Sequence, residues 1–162
     1  GIKTGNGILV DKFGRTSDAA VFAAGDVANQ PAENGGTVRH ESWSNAHNHA
    51  IAVAKAMLDQ GEPFQDIPYF WSDQYATSMQ VIGSLTDYDE TGVRGDFDGE
   101  QFVQFYLRNN RIAGAIGINS AQDISVARRL MGRELSITTG QLVGASKLRE
   151  LLTPAPASAT IL

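Results

Sequence analysis

Cysteine is absent from all 162 residues of this chain. Without a thiol the chain forms no disulfide, and a thiol-disulfide relay within these residues is excluded. The 17 glycines include no Gly-x-Gly-x-x-Gly run between a strand and a helix, so the phosphate-binding turn of a dinucleotide site is missing. No apolar run approaches the ~20 residues that a membrane helix needs, and no polybasic anchor is present. We therefore expect no membrane association.

Basic side chains are scarce in one stretch and enriched in another. Residues 61–100 carry nine acidic side chains and one basic, whereas residues 101–162 carry seven basic and three acidic. The net charge of -5 argues against a nucleic-acid partner. Arg128, Arg129 and Arg133 lie within six residues of a predicted helix. They are either a docking patch for an acidic protein or an ordinary solvated helix face.

Three histidines, His40, His47 and His49, lie close together in the sequence. Their spacing does not place all three on one helical face, no cysteine accompanies them, and no carboxylate stands at a zinc-site spacing. We therefore predict no metal site here.

Residues 16–26 are the most informative stretch. Residues 21–24 form a short apolar run bounded by turn residues, which predicts a buried parallel strand. Gly25 and Asp26 follow it. At the carboxyl end of such a strand, Gly25 would let a ligand approach the backbone and Asp26 would accept hydrogen bonds from sugar hydroxyls. The alternative is that Asp26 only caps the next turn.

The remaining pattern predicts two units. Two stretches, Ile8 to Val10 and Thr16 to Ala24, are strand-like. A helix is expected to begin after Ser42 and to end before Gly61 and Pro63. Its predicted apolar face comprises Ala46, Ala50, Val53, Ala54, Met57 and Leu58. Residues 61–68 are predicted to be a linker because glycine, proline and acids replace the periodic pattern.

The second predicted unit starts near Tyr69. Strands are expected at residues 79–83, 102–107 and 112–118, with hairpin turns at Asp98-Gly99 and Asn109-Asn110, forming an antiparallel meander. A helix with a capping box from Ser120 to Asp123 should run to Met131. A last helix would use Leu142, Val143, Leu148 and Leu151, and residues 153–162 are predicted to be a disordered tail.

Four blocks carry a family resemblance: GILVDKFGRTS (7–17), TSDAAVFAAGD (16–26), VRHESWSNA (38–46) and PYFWSDQY (68–75). In this order they resemble the carboxyl-terminal part of FAD-dependent ferredoxin and rubredoxin reductases. These form the putidaredoxin reductase and ring-hydroxylating dioxygenase reductase group of the pyridine nucleotide-disulfide oxidoreductase superfamily. The similarity runs to about residue 152. The chain begins with neither an initiator methionine nor a targeting peptide, so we expect a fragment of a larger protein.

The resemblance implies an α+β chain: the end of an FAD-binding α/β domain (1–60), a linker (61–68) and a small reductase C-terminal domain with an antiparallel sheet and two helices (69–152). It assigns Asp26 to the FAD ribityl chain and the backbone of Gly25 and Val27 to the flavin side of the cofactor. The helix start at Glu41 and Ser42 would face the isoalloxazine pyrimidine edge with its positive dipole end, or these two residues are plain helix-start residues.

Trp43 and Trp71 are the only tryptophans. In the resembling family these segments face the flavin, so the rings would shield the isoalloxazine or, alternatively, pack an interdomain seam.

Two functions remain open at the level of the sequence. The first is an NADH- or NADPH-dependent flavoenzyme that passes electrons from FAD to a ferredoxin or rubredoxin, feeding an oxygenase in the cytoplasm. This piece would then be inactive alone, and no side chain in it is predicted to be catalytic. The second is a redox-linked interaction protein similar to apoptosis-inducing factor. The Glu-Ser-Trp-Ser-Asn-Ala block favours the reductase, and no strongly basic surface favours the other.

Overall fold

The computed structural model describes residues 1–32, 35–133 and 135–153. The chain divides into two compact units, Gly1–Phe70 and Trp71–Leu162. Of the predicted disordered tail, residues 154–162 lie outside the described residues. Within the described ranges, no helix combines the length and the hydropathy that a membrane crossing requires.

A small mixed sheet forms the first unit. Its strands, in spatial order, are β1 (Thr4–Gly5), β2 (Gly7–Leu9), β3 (Ala28–Pro31) and β4 (Thr37–Val38). The central pair β2 and β3 is parallel, and the two outer pairs are antiparallel. Val10, Ala23 and Ala28 form a small core with Ile8 packed against it. The strand predicted from Ile8 to Val10 is confirmed as β2, which begins and ends one residue earlier than predicted.

The predicted strand at residues 21–24 is wrong. This stretch is irregular and has one isolated bridge, between Arg15 and Phe22. Polar side chains close the loop before it, because the Asp18 carboxylate accepts from the Ala20 N–H at 3.0 Å and the Thr16 hydroxyl accepts from the Asp18 N–H at 3.1 Å. Such local bonds compete with strand pairing. The parallel strand begins only after the Gly25-Asp26 pair, which therefore precedes a strand.

Helix α1 (Trp43–Met57) begins as predicted, since the Ser42 hydroxyl accepts from the Asn45 N–H at 3.2 Å. The predicted apolar face is wrong for most of its members, because Ala50, Ala54, Met57 and Leu58 are exposed. The buried face instead contains Ser44, Asn45, His49, Val53 and Ala56. Polar side chains occupy the half of this face nearest the helix start, and hydrogen bonds hold Asn45 and His49 there.

The second unit contains a five-stranded sheet. Its strands are β5 (Tyr69–Gln74), β6 (Thr77–Gly83), β7 (Glu90–Gly95), β8 (Phe102–Arg108) and β9 (Arg111–Ile118), in the spatial order β5-β6-β9-β8-β7. The three predicted strands are confirmed, whereas β5 and β7 were missed. The meander is confirmed only for β7 to β9, in which neighbours in the sequence pair antiparallel. Strand β6 pairs with β9 and not with β7, the next strand in the sequence.

Helices α2 (Ala121–Met131) and α3 (Thr139–Gly144) accompany this sheet. The α2 span agrees with prediction, but the capping box is wrong: the Ser120 hydroxyl donates to the Ile118 carbonyl at 2.8 Å. The fully buried side chains of this unit include Ile82, Val103, Phe105, Leu107, Leu130, Leu142 and Leu148.

The predicted single last helix is wrong, because α3 ends at Gly144 and a separate 3-10 helix spans Leu148–Leu152. Arg94 of β7 explains the break. Its guanidinium donates to the carbonyls of Val143 and Ser146, each at 3.3 Å, and to that of Ala145. It also pairs with Asp123 of α2 at 2.9 Å. Arg94 therefore binds the carbonyls of the loop that separates the two helical segments.

Candidate functional site

The residues predicted to bind a cofactor form a short turn in the first unit. Gly25–Val27 is a single 3-10 turn directly before β3. Gly25 is buried and has φ +70°, a backbone conformation that favours glycine. Asp26 and Val27 are exposed, so the carboxylate of Asp26 is accessible from solvent.

The start of α1 is fixed by buried amides. The Asn45 side chain donates to the His40 carbonyl at 2.9 Å, and it accepts from the Gln30 side chain at 3.1 Å. Gln30 belongs to β3, so this bond joins the helix start to the sheet. The first turn of a helix carries backbone N–H groups without intrahelical partners and the positive end of the helix dipole.

The turn and the helix are in direct contact. A Cβ placed on Gly25 would lie 3.4 Å from both Cα and Cβ of Ala46. The Gly25 N–H donates to Nδ1 of His49 at 3.3 Å. The structure therefore brings Gly25, Asp26 and Val27 beside the helix that begins after Ser42.

Arg39 joins the same two segments from the loop between them. Its guanidinium pairs with the Glu41 carboxylate and lies 3.5 Å from the Asp26 carbonyl oxygen. Its Nε is buried and has no hydrogen-bond partner within the described part of the chain. Glu41 is thus engaged by Arg39, and the resulting pair stands next to the helix start.

This arrangement fits the ribityl and pyrimidine side of a flavin. An exposed carboxylate follows a left-handed glycine, a helix start lies against that glycine, and a buried donor on Arg39 is unsatisfied. Carboxylates accept from ribityl hydroxyls, and helix N-termini favour negative charge. The phosphate-binding part of such a site is absent from the sequence of this chain.

The two tryptophans belong to different units. Trp43 is the first residue of α1, is 67% exposed, and stacks on His47 with ring centroids 5.0 Å apart. Trp71 lies on β5 and is 38% exposed.

The three arginines of the predicted docking patch differ in their surroundings. On α2, Arg128 is half-buried and Arg129 is exposed. Arg133 follows the helix, and its guanidinium donates to the Leu152 carbonyl. Arg129 and Arg133 are both exposed, and Nε of Arg129 donates to the Ser125 carbonyl at 3.4 Å.

Burial lowers the pKa of His49 and of His40 below the usual 6.5. Both imidazoles are therefore disposed to stay neutral near pH 7. In the ranges that the structure describes, no three side chains of His, Cys, Asp or Glu form a group that could hold a metal ion.

Sequence reasoning missed Gln30, Arg39, Asn45 and His49 as parts of this site. Asn45 was considered only as part of a motif. The one available signal was the run of polar residues at the start of α1 where an apolar face was expected, because buried polar groups need partners.

Two family models match the chain. Residues 69–152 match the reductase C-terminal family, and residues 1–50 match the pyridine nucleotide-disulphide oxidoreductase family. The first match covers more than half of the chain. The chain therefore belongs to the reductase C-terminal family.

Individual relatives agree with this assignment. The chain is 36% identical over 160 residues to ferredoxin–NAD(P)+ reductase fdr of a Sphingomonas species. It resembles the crystal structure of the ferredoxin reductase for the CYP199A2 system of Rhodopseudomonas palustris, with TM-score 0.87, 30% identity and 94% of this chain covered. It also resembles the structure of the covalent putidaredoxin reductase-putidaredoxin complex, with TM-score 0.86, 28% identity and 94% coverage.

The chain is only part of the length of these proteins. It spans 39% of the Sphingomonas reductase, 38% of the Rhodopseudomonas chain and 37% of the matched chain in the putidaredoxin complex. The resemblance to ferredoxin reductases inferred from the sequence blocks is confirmed, as is the α+β fold.

Proposed function

We propose that the complete protein containing this chain is an NAD(P)H-dependent, FAD-containing reductase that passes electrons to a ferredoxin or rubredoxin. The observation that carries this proposal is the contact between the Gly25–Val27 turn and helix α1, in a chain that is 36% identical to a ferredoxin–NAD(P)+ reductase. The turn offers a carboxylate and the helix offers a dipole, which are the two features that a flavin's ribityl and pyrimidine groups require.

The side chains have distinct proposed tasks. Asp26 accepts hydrogen bonds from the ribityl hydroxyls, while the backbone of Gly25 and Val27 allows close approach. Glu41 and Ser42 set the helix start that faces the pyrimidine edge, and Arg39 holds Glu41 in place. Trp43 and Trp71 shield the ring from water. Bound FAD supplies the chemistry, because it accepts two electrons together and releases them singly.

We place the domain limits at 1–60 for the end of the FAD-binding domain, 61–68 for the linker and 69–152 for the reductase C-terminal domain. The piece alone is inactive under this proposal, since it lacks the phosphate-binding turn. We propose the cytoplasm as location because the nicotinamide donor is supplied there, and an iron-sulfur protein feeding an oxygenase as the electron acceptor.

Electron delivery by the complete protein tests the function. The purified protein should show a flavin absorption spectrum and should reduce cytochrome c with NADH or NADPH only when a ferredoxin or rubredoxin is added. A fast cytochrome c reduction that added iron-sulfur protein does not increase would contradict the assignment of the acceptor. A protein purified without flavin that takes up no added FAD would contradict the whole proposal.

A further inference from the structure

The imidazole of His49 lies buried directly behind the Gly25–Val27 turn. It is 1% exposed, and its ring stacks on Phe64 with centroids 4.7 Å apart and an interplanar angle of 24°. Its Nδ1 accepts the Gly25 N–H at 3.3 Å. A ring nitrogen accepts a hydrogen bond only while it carries a lone pair, so this geometry requires the neutral tautomer with its proton on Nε2.

We propose that His49 is a positioning residue whose Nδ1 lone pair holds the Gly25–Val27 turn in its cofactor-receiving shape, and that a proton on Nδ1 releases the turn. This inference rests on the proposed function. Gly25 is buried, so its N–H needs a partner, and the ring supplies one from 24 residues away in the sequence. A protonated Nδ1 would instead point an N–H at the Gly25 N–H. The two donors would repel each other.

Several charged groups lie on the elements that surround His49. These elements are the Gly25–Val27 turn, the segment that carries Phe64, the loop whose Lys12 carbonyl accepts from the Phe64 N–H, and α1 itself. Their titratable groups are Asp11, Lys12, Arg15, Asp26, His47, Lys55, Glu62 and Asp66. None of the four ion pairs recorded among the described residues, Arg15–Asp11, Arg39–Glu41, Arg94–Asp123 and Arg108–Asp87, includes His49. Asp66 accepts from Asn48 at 2.6 Å, and Asp26 is exposed.

The direction of the pH effect follows from burial. Desolvation lowers the pKa of His49 in the folded chain below 6.5, the ordinary value that applies when the chain is unfolded. Above pH 6.5 the ring is neutral in both states and the bond to Gly25 is intact. As the pH falls below 6.5 the unfolded state takes up the proton first, which disfavours the folded turn. The bond itself is lost as the pH passes the lowered value.

A glutamine at position 49 separates the acceptor role of the side chain from its titration. In His49→Gln the amide oxygen can accept from the Gly25 N–H but does not titrate, whereas His49→Leu fills the space without an acceptor. His47→Gln, which replaces an exposed histidine on the same helix, is the matched control. The probe is FAD binding by the complete protein, followed through flavin fluorescence between about pH 5 and pH 8, the range in which histidine titrates.

The wild-type protein and His47→Gln should lose affinity for FAD as the pH falls through the lowered pKa of His49. His49→Gln should bind like the wild type at neutral pH and should lose that acid-dependent step. His49→Leu should bind about fivefold to tenfold more weakly at neutral pH, the effect of one buried hydrogen bond. An acid step that persists in His49→Gln, or an unchanged affinity in His49→Leu, would overturn the proposal.

Amide hydrogen exchange at Gly25 in the cofactor-free protein supplies a readout that does not depend on the proposed function. In the wild type, the protection factor of the Gly25 amide should decrease as the pH is lowered. It should stay level in His49→Gln and be low at every pH in His49→Leu. Equal protection in all three proteins would overturn the inference even if FAD binds. Absence of FAD binding together with the expected exchange pattern would refute the proposed function and leave the His49 contact established.

Discussion

At the scale of single residues, Asp26 is the one exposed carboxylate of the turn that contacts α1. His49 and Arg39 form the hydrogen bonds to the backbone of this turn. The hydrogen bonds recorded among the described residues include none to the carboxylate of Asp26. A change at this position should therefore affect ligand binding more than folding.

Asp26→Ala in the complete protein should weaken FAD binding by about 1.5–3 kcal/mol, because it removes a charge-assisted hydrogen bond to the ribityl chain. Asp26→Asn keeps one acceptor and should be milder. The dissociation constant can be measured by fluorescence titration of the apoprotein. Asp98→Ala, which removes an exposed carboxylate in the β7–β8 turn, is the control. Full retention of FAD by Asp26→Ala would remove Asp26 from the site.

At the scale of elements, Arg94 connects three parts of the second unit. It extends from β7, pairs with Asp123 of α2 and donates to the carbonyls that follow α3. Both partners of the ion pair are mostly shielded, with side-chain exposures of 18% and 32%. Helix α3 also packs closely on β7, since a Cβ on Gly92 would lie 2.2 Å from Thr139.

Arg94→Met should destabilise the second unit by about 2–3 kcal/mol, because it leaves a partly buried carboxylate and several carbonyls unpaired. Asp123→Asn should cost about 1 kcal/mol, since the amide oxygen still accepts. Urea unfolding can follow this unit alone through Trp71 fluorescence in a Trp43→Phe background. Additive losses in the double variant would show that the ion pair contributes no coupling energy.

The elements also show which features the sequence can predict. The Asn109-Asn110 turn was recognised because both residues adopt positive φ, 51° and 57°, which asparagine tolerates better than most residues. The cap at Ser42 was recognised because serine is favoured at helix starts, where its hydroxyl accepts from a nearby backbone N–H. The irregular path of residues 21–24 and the polar face of α1 were not, because both depend on partners distant in sequence, such as Gln30 for Asn45. Local features such as the turn and the cap were therefore predictable, and the contacts between segments distant in the sequence were not.

At the scale of the whole molecule, the charge is divided along the chain. The acidic stretch 61–100 includes β7. The basic stretch 101–162 includes α2, which carries Arg128 and Arg129, and Arg133, which follows that helix. If the electron acceptor is an acidic iron-sulfur protein, such a basic surface should accelerate encounter more than it strengthens the final complex.

Arg129→Glu in the complete protein should slow ferredoxin reduction several-fold at low salt and leave NADH-driven ferricyanide reduction unchanged. The deficit should shrink near ~0.15 M ionic strength, where the Debye length is about 8 Å. Lys3→Glu makes the same charge change on the exposed surface of the first unit and serves as the control. Equal loss with both acceptors would indicate damaged folding, and no loss would place the docking surface elsewhere.

The bond from Gly25 to His49 has a consequence for how the protein can evolve. Histidine and glutamine codons share their first two bases, so a single change at the third base exchanges one for the other. Both side chains reach a backbone N–H as acceptors, but only histidine also takes up a proton as the pH falls. A lineage can therefore gain or lose acid sensitivity at this turn in one mutational step while the hydrogen bond is kept.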